Sequence, residues 1–209
     1  MAKIFITGIG TDVGKTVASA IVTEALGADY FKPVQAGDLE NSDSMKVERL
    51  ISNTRSKFHP NSYALKTPMS PHAAADIDGL TIDLDKITLP ITDNHLVVEG
   101  AGGILVPLNQ MQTILDIIDT DYKVIVVSRH YLGSINHTLM TLELLKQREL
   151  DVHLIFNGEV HPSTESIIKK MSKVPVLGRI GEEEKIDKAC IKKYANEFQN
   201  TLMRIIRSE

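Results

Sequence analysis

The feature that most constrains this chain is a glycine-rich segment near its beginning, residues 8–16, which reads GIGTDVGKT. A short apolar run at residues 4–6 precedes it, and an alanine- and valine-rich stretch follows it as far as Gly27. The first run predicts a buried strand, and the second predicts a helix that ends at the glycine. A strand, a glycine-rich turn closing with Gly-Lys-Thr, and a helix are the context that a phosphate-binding loop requires.

The residue types of this segment suit an anion. Glycines let the backbone turn tightly and point successive N–H groups inward, and the following helix adds its positive N-terminal end. We expect Lys15 to reach the β- and γ-phosphates of a nucleotide, and the Thr16 hydroxyl to hold Mg²⁺. The strict pattern has a glycine where this chain has Ile9. An ordinary turn with a solvated lysine is the alternative, but the position of Gly-Lys-Thr between strand and helix favours nucleotide binding.

Length and composition bound the class of protein. The 209 residues predict one domain over residues 1–209, large enough for a sheet covered by helices on both faces. A net charge of −4 argues against a protein that works mainly on nucleic acid, because such domains usually carry a basic face. Cys190 is the only cysteine, which excludes an intramolecular disulfide and a cysteine-based metal site.

The sequence shows no signal for export or membrane insertion. Its N-terminus lacks the charged region and the long apolar core of a secretory signal. No apolar run is long enough to cross a bilayer. We therefore expect a soluble cytoplasmic protein with neither a membrane nor a nucleic acid as its partner.

Strand and helix patterns alternate along the chain, which predicts an α/β protein with a doubly wound, mostly parallel sheet and helices on both faces. Residues 52–70 are expected to be irregular, and residues 77–94 are weakly patterned. The predicted strands cover residues 4–6, 30–34, 95–98, 123–127, 152–156 and 174–177. The predicted helices cover residues 17–26, 43–51, 71–75, 112–119, 133–145, 163–171 and 186–206.

Polar residues end several of the predicted strands. They are Thr7, Lys32, Glu99, Ser128 and Asn157. In open parallel sheets, ligands bind outside the carboxyl ends of the strands. We therefore expect one cation, one carboxylate and one carboxamide to converge near the phosphate loop.

Two acidic residues are candidates for the metal. Glu99 precedes Gly-Ala-Gly-Gly, and these glycines permit a ligand to approach the backbone, which favours a metal role over a solvated strand end. Asp43 lies at a predicted helix start, where it equally suits the helix dipole beside a Ser42 cap. Sequence spacing does not decide whether Asp43 binds the metal or only stabilises the helix start. It also does not decide whether Lys32 belongs to the site or is simply exposed to solvent.

Seven segments together resemble the dethiobiotin synthetase family, ATP-dependent enzymes that close the ureido ring in biotin synthesis. They occur in the family's order and are spread over most of the chain. GTDVGKT, VVEGAGG and LGSINHTL are specific as a set, whereas the phosphate loop alone is not. The segments cover residues 8–17, 31–37, 41–43, 70–75, 97–108, 132–145 and 156–158.

The resemblance implies a P-loop NTPase-like fold, a homodimer, Mg²⁺ as cofactor and ATP as co-substrate. It implies catalytic roles for Lys15 and Lys32, of which Lys32 matches the family's active-site lysine. The positions matching metal-associated residues are Thr16, Asp43 and Glu99. The positions matching nucleotide contacts, with Asn157 reading the adenine, are Asp12, Val13, Gly14, Lys15, Thr16, Val17, Asp43, Glu99, Gly100, Ala101, Gly102, Asn157 and Gly158.

The resemblance also implies substrate-binding positions, and here the chain departs from the family. The positions are Thr11, Lys32, Ala36 and Asn136. Asn136 lies at a helix start whose counterpart holds the substrate's carboxylate across the dimer. Ala36 stands where the family usually offers a hydroxyl, and Gly181 stands where a proline is common after the last strand. Gly10 replaces a frequent aspartate, which we expect to be harmless.

The implied reaction converts 7,8-diaminopelargonate, CO₂ and ATP into dethiobiotin, ADP and phosphate, through a carbamate and a carbamic–phosphoric mixed anhydride. The alternative is a dimerising P-loop switch ATPase like the partition and septum-positioning proteins. Those proteins usually carry an additional lysine early in the loop, whereas this chain has no lysine between Lys3 and Lys15. A cobalamin-synthesis amidotransferase would need a glutaminase cysteine, and Cys190 has no such context.

Overall fold

A parallel sheet of seven strands organises the chain, whose computed structural model describes residues 1–207. The strands of the described residues, of which β3 and β5 lie outside this sheet, are β1 (Lys3–Gly8), β2 (Asp29–Phe31), β3 (Val34–Ala36), β4 (Phe58–His59), β5 (Tyr63–Leu65), β6 (Leu96–Gly103), β7 (Tyr122–Arg129), β8 (Asp151–Asn157) and β9 (Val176–Ile180). The α-helices are α1 (Lys15–Leu26), α2 (Asp43–Leu50), α3 (Pro71–Ile77), α4 (Ser134–Gln147), α5 (Pro162–Ser172) and α6 (Lys188–Ile205).

The strand order places the glycine-rich loop at the middle of the sheet. From edge to edge the strands are β4, β2, β6, β1, β7, β8 and β9. The register sets Ile6 of β1 beside Glu99 of β6 on one side and beside Ile125 of β7 on the other. Residues 4–6 and 124–127 are fully buried, as expected for parallel strands covered on both faces. The carboxyl end of β6 therefore lies against the loop that follows β1.

Helices cover both faces of this sheet. α1, α2 and α6 contact one another, whereas α4 contacts α5, β7 and β8. α1 is buried on several sides because it packs against both the sheet and α6. The buried side chains of α6 are Ile191, Tyr194, Ala195, Phe198, Leu202 and Ile205. The predicted fold class, a doubly wound parallel sheet with helices on both faces, is confirmed.

The prediction of one strand over residues 30–34 is wrong. β2 ends at Phe31, and the chain leaves the sheet at Lys32 and Pro33, since proline has no N–H to donate to a neighbouring strand. The extended chain resumes as β3, which pairs with β5 in a separate two-stranded sheet. Residues 52–70, predicted to be irregular, contain β4 and β5, which are too short to show an alternating pattern.

Other boundaries also differ from the prediction. Residues 112–119 contain a 3₁₀ turn, Ile114–Ile117, in place of an α-helix, and Asp116 accepts hydrogen bonds from the backbone and side chain of Thr113 at its start. β6 continues past Glu99 to Gly103, which pairs with Gly8 after a shift in register. Glycines carry no side-chain alternation, so the sequence pattern did not reveal this extension. Within residues 1–207, no helix combines the length and apolar character needed to span a membrane.

Candidate active site

The glycine-rich segment joins β1 to α1 as a tight loop. Asp12 and Gly14 have positive φ angles of 56° and 97°. A Cβ added to Gly14 would lie 2.3 Å from the Asn157 amide nitrogen, so no side chain fits there. Gly14 also caps α1 without a side-chain hydrogen bond. The first N–H groups of α1 are therefore free of a capping side chain, as an anion-binding helix start requires.

The packing of the loop explains the isoleucine where the strict pattern has a glycine. The Ile9 side chain is buried in the core. A Cβ added to Gly8 would lie 2.4 Å from Val13 Cγ2, so the close approach falls at Gly8 in this chain. At Gly10 an added Cβ would meet only the Tyr131 hydroxyl, at 4.0 Å. Of these two glycines, Gly8 therefore leaves no room for a side chain, whereas the position of Gly10 tolerates one.

Lys15 folds back over its own loop. Its Nζ donates a hydrogen bond of 2.7 Å to the carbonyl of Gly10, and its side chain is buried. Burial lowers the pKa of Lys15 from 10.5 to about 8, against the opposing effect of Glu99, and Lys32 lowers it further. The ammonium lies among the groups expected to contact phosphate.

Three charged side chains meet beside this loop. Lys32 Nζ lies 2.8 Å from Asp43 Oδ2 and 3.1 Å from Glu99 Oε1, and Lys32 is only 3% exposed. Burial lowers the pKa of Lys32, but Glu99 and Asp43 outweigh it and raise the pKa overall. Burial raises the pKa of Asp43, but Lys32 outweighs it and lowers the pKa overall. Lys32 and Asp43 therefore each favour the charged state of the other in a largely buried position.

Both carboxylate oxygens of Glu99 accept hydrogen bonds. Oε1 accepts one of 3.0 Å from the Thr16 hydroxyl in addition to the contact with Lys32. Oε2 accepts one of 2.9 Å from the hydroxyl of Tyr30, which is fully buried. Burial, followed by the charges of Glu99 and Asp43, raises the pKa of Tyr30 well above its ordinary value, so the phenol keeps its proton. Glu99 is thus a buried carboxylate whose two oxygens are held on opposite sides.

The structure bears on whether Asp43 serves the helix start or the site. Ser42 is the N-cap of α2, and its hydroxyl accepts a hydrogen bond of 3.4 Å from the backbone N–H of Met45. The Asp43 carboxylate contacts Lys32 and, at 3.6 Å, Lys46. Ser42 therefore caps the helix, and the Asp43 carboxylate turns toward the cluster at the strand ends.

A cleft of about 680 Å³ opens above this cluster, which is enough for a small-molecule ligand. Most of the predicted site residues line it: Thr11, Asp12, Gly14, Lys15, Thr16, Val17, Lys32, Ala36, Asp43, Glu99, Ala101 and Gly102. Val13, Gly100, Asn136, Asn157 and Gly158 do not. The sheet thus brings together the residues expected at the phosphates and the metal, while the residues assigned to the base and to the substrate carboxylate lie elsewhere.

Asn157 and Gly158 lie on the other side of the loop. The Asn157 amide donates a hydrogen bond of 2.8 Å to the carbonyl of Val13. Arg179 donates to the carbonyls of Gly158 and Glu159 at 2.9 and 3.0 Å, and it also pairs with the carboxylate of Glu165. The segment after β8 is therefore held by an ion pair that the sequence pattern did not predict.

Gly181 has a specific role in place of the family's proline. Its backbone N–H donates a hydrogen bond of 2.9 Å to the hydroxyl of Tyr194 on α6. Proline could not donate this bond, and a Cβ at this position would lie 3.1 Å from the same oxygen. The segment after β9 is thus tied to α6 by a hydrogen bond that a proline at this position could not make.

Asn136 is exposed in the first turn of α4, away from the cleft. Gly133 precedes this helix with a φ angle of 102° and provides no side-chain cap. The helix start therefore has the uncapped N–H groups that suit a carboxylate. Within one chain it does not adjoin the Lys32 cluster.

Sequence reasoning missed two residues at this site. The sequence pattern predicts a strand at Tyr30 and a following segment at Gln35, but it indicates no role at the site for either residue. Gln35 is buried, donates to the carbonyl of Gly37 and accepts from the backbone N–H of Asp43 at 3.2 Å, which fixes the start of α2. A polar group in an otherwise apolar strand was the available signal, because a buried hydroxyl or amide requires a partner.

Comparison with known proteins places the chain among enzymes. A family model described as "AAA domain" matches residues 2–189. The protein named ATP-dependent dethiobiotin synthetase BioD from Christiangramia forsetii is 58% identical over 202 residues, covering 96% of this chain and 98% of that protein. Its namesake from Cytophaga hutchinsonii is 50% identical over 198 residues, covering 93% of this chain and 96% of that protein.

Similarity to solved structures extends to a more distant class. A putative plasmid partition protein from Borrelia burgdorferi B31, bound to AMPPNP, has a TM-score of 0.58 at 15% identity. The match covers 97% of this chain and 99% of that one. At this identity the likeness shows a shared P-loop fold and nothing about a partition activity.

Proposed function

This chain belongs to the ATP-dependent dethiobiotin synthetase family, and from that membership we propose its reaction and the residues that carry it. It is an ATP-dependent enzyme of biotin biosynthesis. The substrates we propose are 7,8-diaminopelargonate, CO₂ and ATP, and the products are dethiobiotin, ADP and phosphate. The observation that carries the proposal is the buried Lys32, whose ammonium lies between Asp43 and Glu99 beside the phosphate loop.

The reaction needs no nucleophile from the protein. One substrate amine adds to CO₂ and loses a proton, which leaves a carbamate. A carbamate oxygen attacks the γ-phosphorus of ATP and displaces ADP, forming a mixed carbamic–phosphoric anhydride. The second amine attacks the carbonyl carbon, loses a proton and expels phosphate, which closes the ring. Catalysis is then positioning and charge neutralisation, as in other phosphoryl transfers.

The two buried lysines would divide this work. Lys15 belongs to the loop and would hold the β- and γ-phosphates from the moment ATP binds. Lys32 reaches the cleft from the end of a neighbouring strand, so it would meet the carbamate and the γ-phosphate where they join. Thr11 lines the same cleft and is the residue we assign to the carbamate or amine. Ala36 offers the substrate a methyl contact in place of a hydroxyl.

The donor set fits Mg²⁺. Thr16 and Glu99 are within hydrogen-bond distance of each other, and Asp43 shares Lys32 with Glu99. Among residues 1–207, no group of three His, Cys, Asp or Glu side chains could cage a metal. Mg²⁺ commonly uses one or two carboxylates together with substrate phosphates and water, which suits such an open set. When bound, Mg²⁺ would neutralise phosphate charge. The carboxylates of Asp43 and Glu99 would then contact both Mg²⁺ and the Lys32 ammonium.

We further propose that the working enzyme is a homodimer. A cleft of about 650 Å³ lies between α4 and residues 103–107, and apolar side chains supply most of its lining. Leu105 and Met140 on its rim are each 58% exposed. We propose that a second copy of this chain fills the cleft. The reason is that α4 also carries Asn136, which we assign to the substrate bound by the other subunit. Sedimentation should give twice the chain mass of 23.1 kDa, and a monomer at assay concentration would contradict the dimer.

The proposal also includes the number of domains and the cellular compartment. We treat the chain as one ATP-binding domain, which is supported by the hydrophobic cluster that runs through the described residues and by the packing of α6 against α1. We also assign it to the cytoplasm, where ATP is available as a co-substrate.

Phosphate release from ATP tests the function directly. It should be slow with ATP and Mg²⁺ alone and should rise only when both diaminopelargonate and bicarbonate are added. Mass spectrometry should then identify dethiobiotin in proportion to the phosphate released. Stimulation by DNA or lipid vesicles, with no dethiobiotin formed, would overturn the proposal in favour of a switch ATPase.

A further inference from the structure

We propose that Tyr30 is a positioning residue for Glu99, one that holds Oε2 in place so that Oε1 stays directed at Thr16 and Lys32. The inference rests on the proposed function, since it assumes that Glu99 supports the metal and the phosphates. It concerns a contact between β2 and β6, the two strands whose ends form one wall of the site.

The contact is short, direct and enclosed. The Tyr30 hydroxyl lies 2.9 Å from Glu99 Oε2, and both residues are at most 1% exposed. The phenol O–H donates this hydrogen bond, and Glu99 Oε2 accepts it. A buried carboxylate oxygen without a donor is costly. Tyr30 therefore satisfies the oxygen that faces away from the loop.

The strand geometry explains why Tyr30 and Lys32 act on the same carboxylate. Successive side chains of an extended chain point to opposite faces, so residues two apart share a face. Tyr30 pairs with Val97 of the neighbouring strand, two residues before Glu99. Tyr30 and Lys32 accordingly reach the two oxygens of Glu99, and they do so from the same stretch of chain.

Restraint of this kind has a chemical consequence. With Oε2 bonded to a fixed ring, rotation of the carboxylate about its last torsion breaks a buried hydrogen bond. The Tyr30 ring is itself packed against Phe58, with ring centroids 5.6 Å apart. Partners behind a metal-supporting carboxylate commonly affect metal affinity or activity by 10–100-fold when they are removed. Tyr30 does not touch the cleft, so its effect must pass through Glu99.

The test compares Tyr30→Phe with Tyr122→Phe. Tyr122 is the matched control, because it is also buried in the sheet and packs edge-on against Phe5, at the opposite end of its strand from the site. For Tyr30→Phe we expect kcat to fall about 10-fold with KM for diaminopelargonate unchanged, and the half-saturating Mg²⁺ concentration to rise about 10-fold. Tyr122→Phe should change none of these quantities.

A second readout does not depend on product formation. Calorimetry should show weaker binding of Mg²⁺ with a non-hydrolysable ATP analogue to Tyr30→Phe, and unchanged binding of the analogue without Mg²⁺. In a Glu99→Gln background, Tyr30→Phe should add no further loss, because the two residues act as one unit. Equal behaviour of the two tyrosine variants, or losses that add in the double variant, would overturn the positioning role. Failure of the wild-type protein to make dethiobiotin would instead overturn the proposed function, and the calorimetric comparison would remain decisive for Tyr30.

Discussion

Lys32 and Asp43 form an ion pair in which Nζ lies 2.8 Å from Oδ2, and the same ammonium also lies 3.1 Å from Glu99 Oε1. The lysine follows the end of β2, and the aspartate is the first residue of α2. A buried cation between two carboxylates is expensive to assemble unless each charge is paired. Here the pairing holds a single positive charge at the floor of the cleft, close to where phosphate charge would be transferred.

The first prediction distinguishes the role of Lys32 in turnover from the role of Lys15 in ATP binding. Lys32→Gln should bind ATP nearly normally but turn over at least ~100-fold more slowly, the scale seen when one preorganised transition-state donor is removed. Lys15→Gln should weaken ATP binding and slow turnover together. Calorimetry with ATP and steady-state dethiobiotin formation would measure both effects.

Controls for this comparison lie nearby. Lys46→Gln removes a surface lysine that contacts Asp43 at 3.6 Å, and its turnover should stay near that of the wild type. Arginine at position 32 should rescue poorly, because a planar guanidinium cannot replace a compact ammonium in a tight site. Near-normal turnover of Lys32→Gln would reduce this lysine to a structural partner of its two carboxylates.

The second prediction distinguishes the metal role of Asp43 from a capping role. Ser42→Ala should cost about 1 kcal/mol of stability, as the loss of an N-cap does, without changing Mg²⁺ dependence. Asp43→Asn and Glu99→Gln should impair Mg²⁺-dependent turnover while leaving the fold intact. Thermal unfolding and Mg²⁺ titrations of activity would be measured side by side. If Asp43→Asn lowers the unfolding temperature but turns over normally, Asp43 is not a ligand.

The third prediction concerns the shared site. Asn136→Ala should weaken diaminopelargonate binding more than ATP binding, because the start of α4 is assigned to the carboxylate of a substrate held by the partner subunit. A hybrid of Asn136→Ala with Lys15→Gln contains one site with both residues intact, so mixing the two impaired variants should restore part of the activity. Absence of restoration, after subunit exchange has been shown with labelled chains, would mean that each subunit builds its own site.

The fourth prediction concerns stability in acid. Burial lowers the pKa of His153 below 6.5, outweighing the raising effect of Asp151, and Lys123 lowers it further. Burial likewise lowers the pKa of His130, against the opposing effect of Glu165. Below pH 6.5 the unfolded chain therefore binds protons that the folded chain does not, and stability falls as pH falls through that value. Each such imidazole can remove up to about 1.4 kcal/mol per pH unit.

Urea unfolding at pH 7.5, 6.5 and 5.5 would measure this loss. His153→Gln removes one of the titrating groups, so its free energy of unfolding should depend less steeply on pH over that interval than that of the wild type. An identical pH dependence in the variant would show that His153 does not contribute.

The sequence by itself determined the elements that short-range chemistry encodes. Glycines in residues 8–16 permit the tight loop, the apolar runs of β1, β7 and β8 predict buried parallel strands, and Gly27 ends α1 through a left-handed conformation. The same reasoning predicted that Lys32 and Glu99 lie near each other, because parallel strands present their carboxyl ends at one edge, although Glu99 lies within β6 and not at its end. These features depend on residues close together in the chain, whose local backbone preferences are strong enough to predict the structure.

Only the tertiary structure decided which side chains touch. Tyr30 and Glu99 are separated by 69 positions, and their hydrogen bond exists because β2 and β6 are neighbours in a particular register. Asp43 became a partner of Lys32 because Ser42 already caps α2 and leaves the next carboxylate to turn inward. Strand order and register follow from packing the whole core, so local patterns cannot specify these contacts.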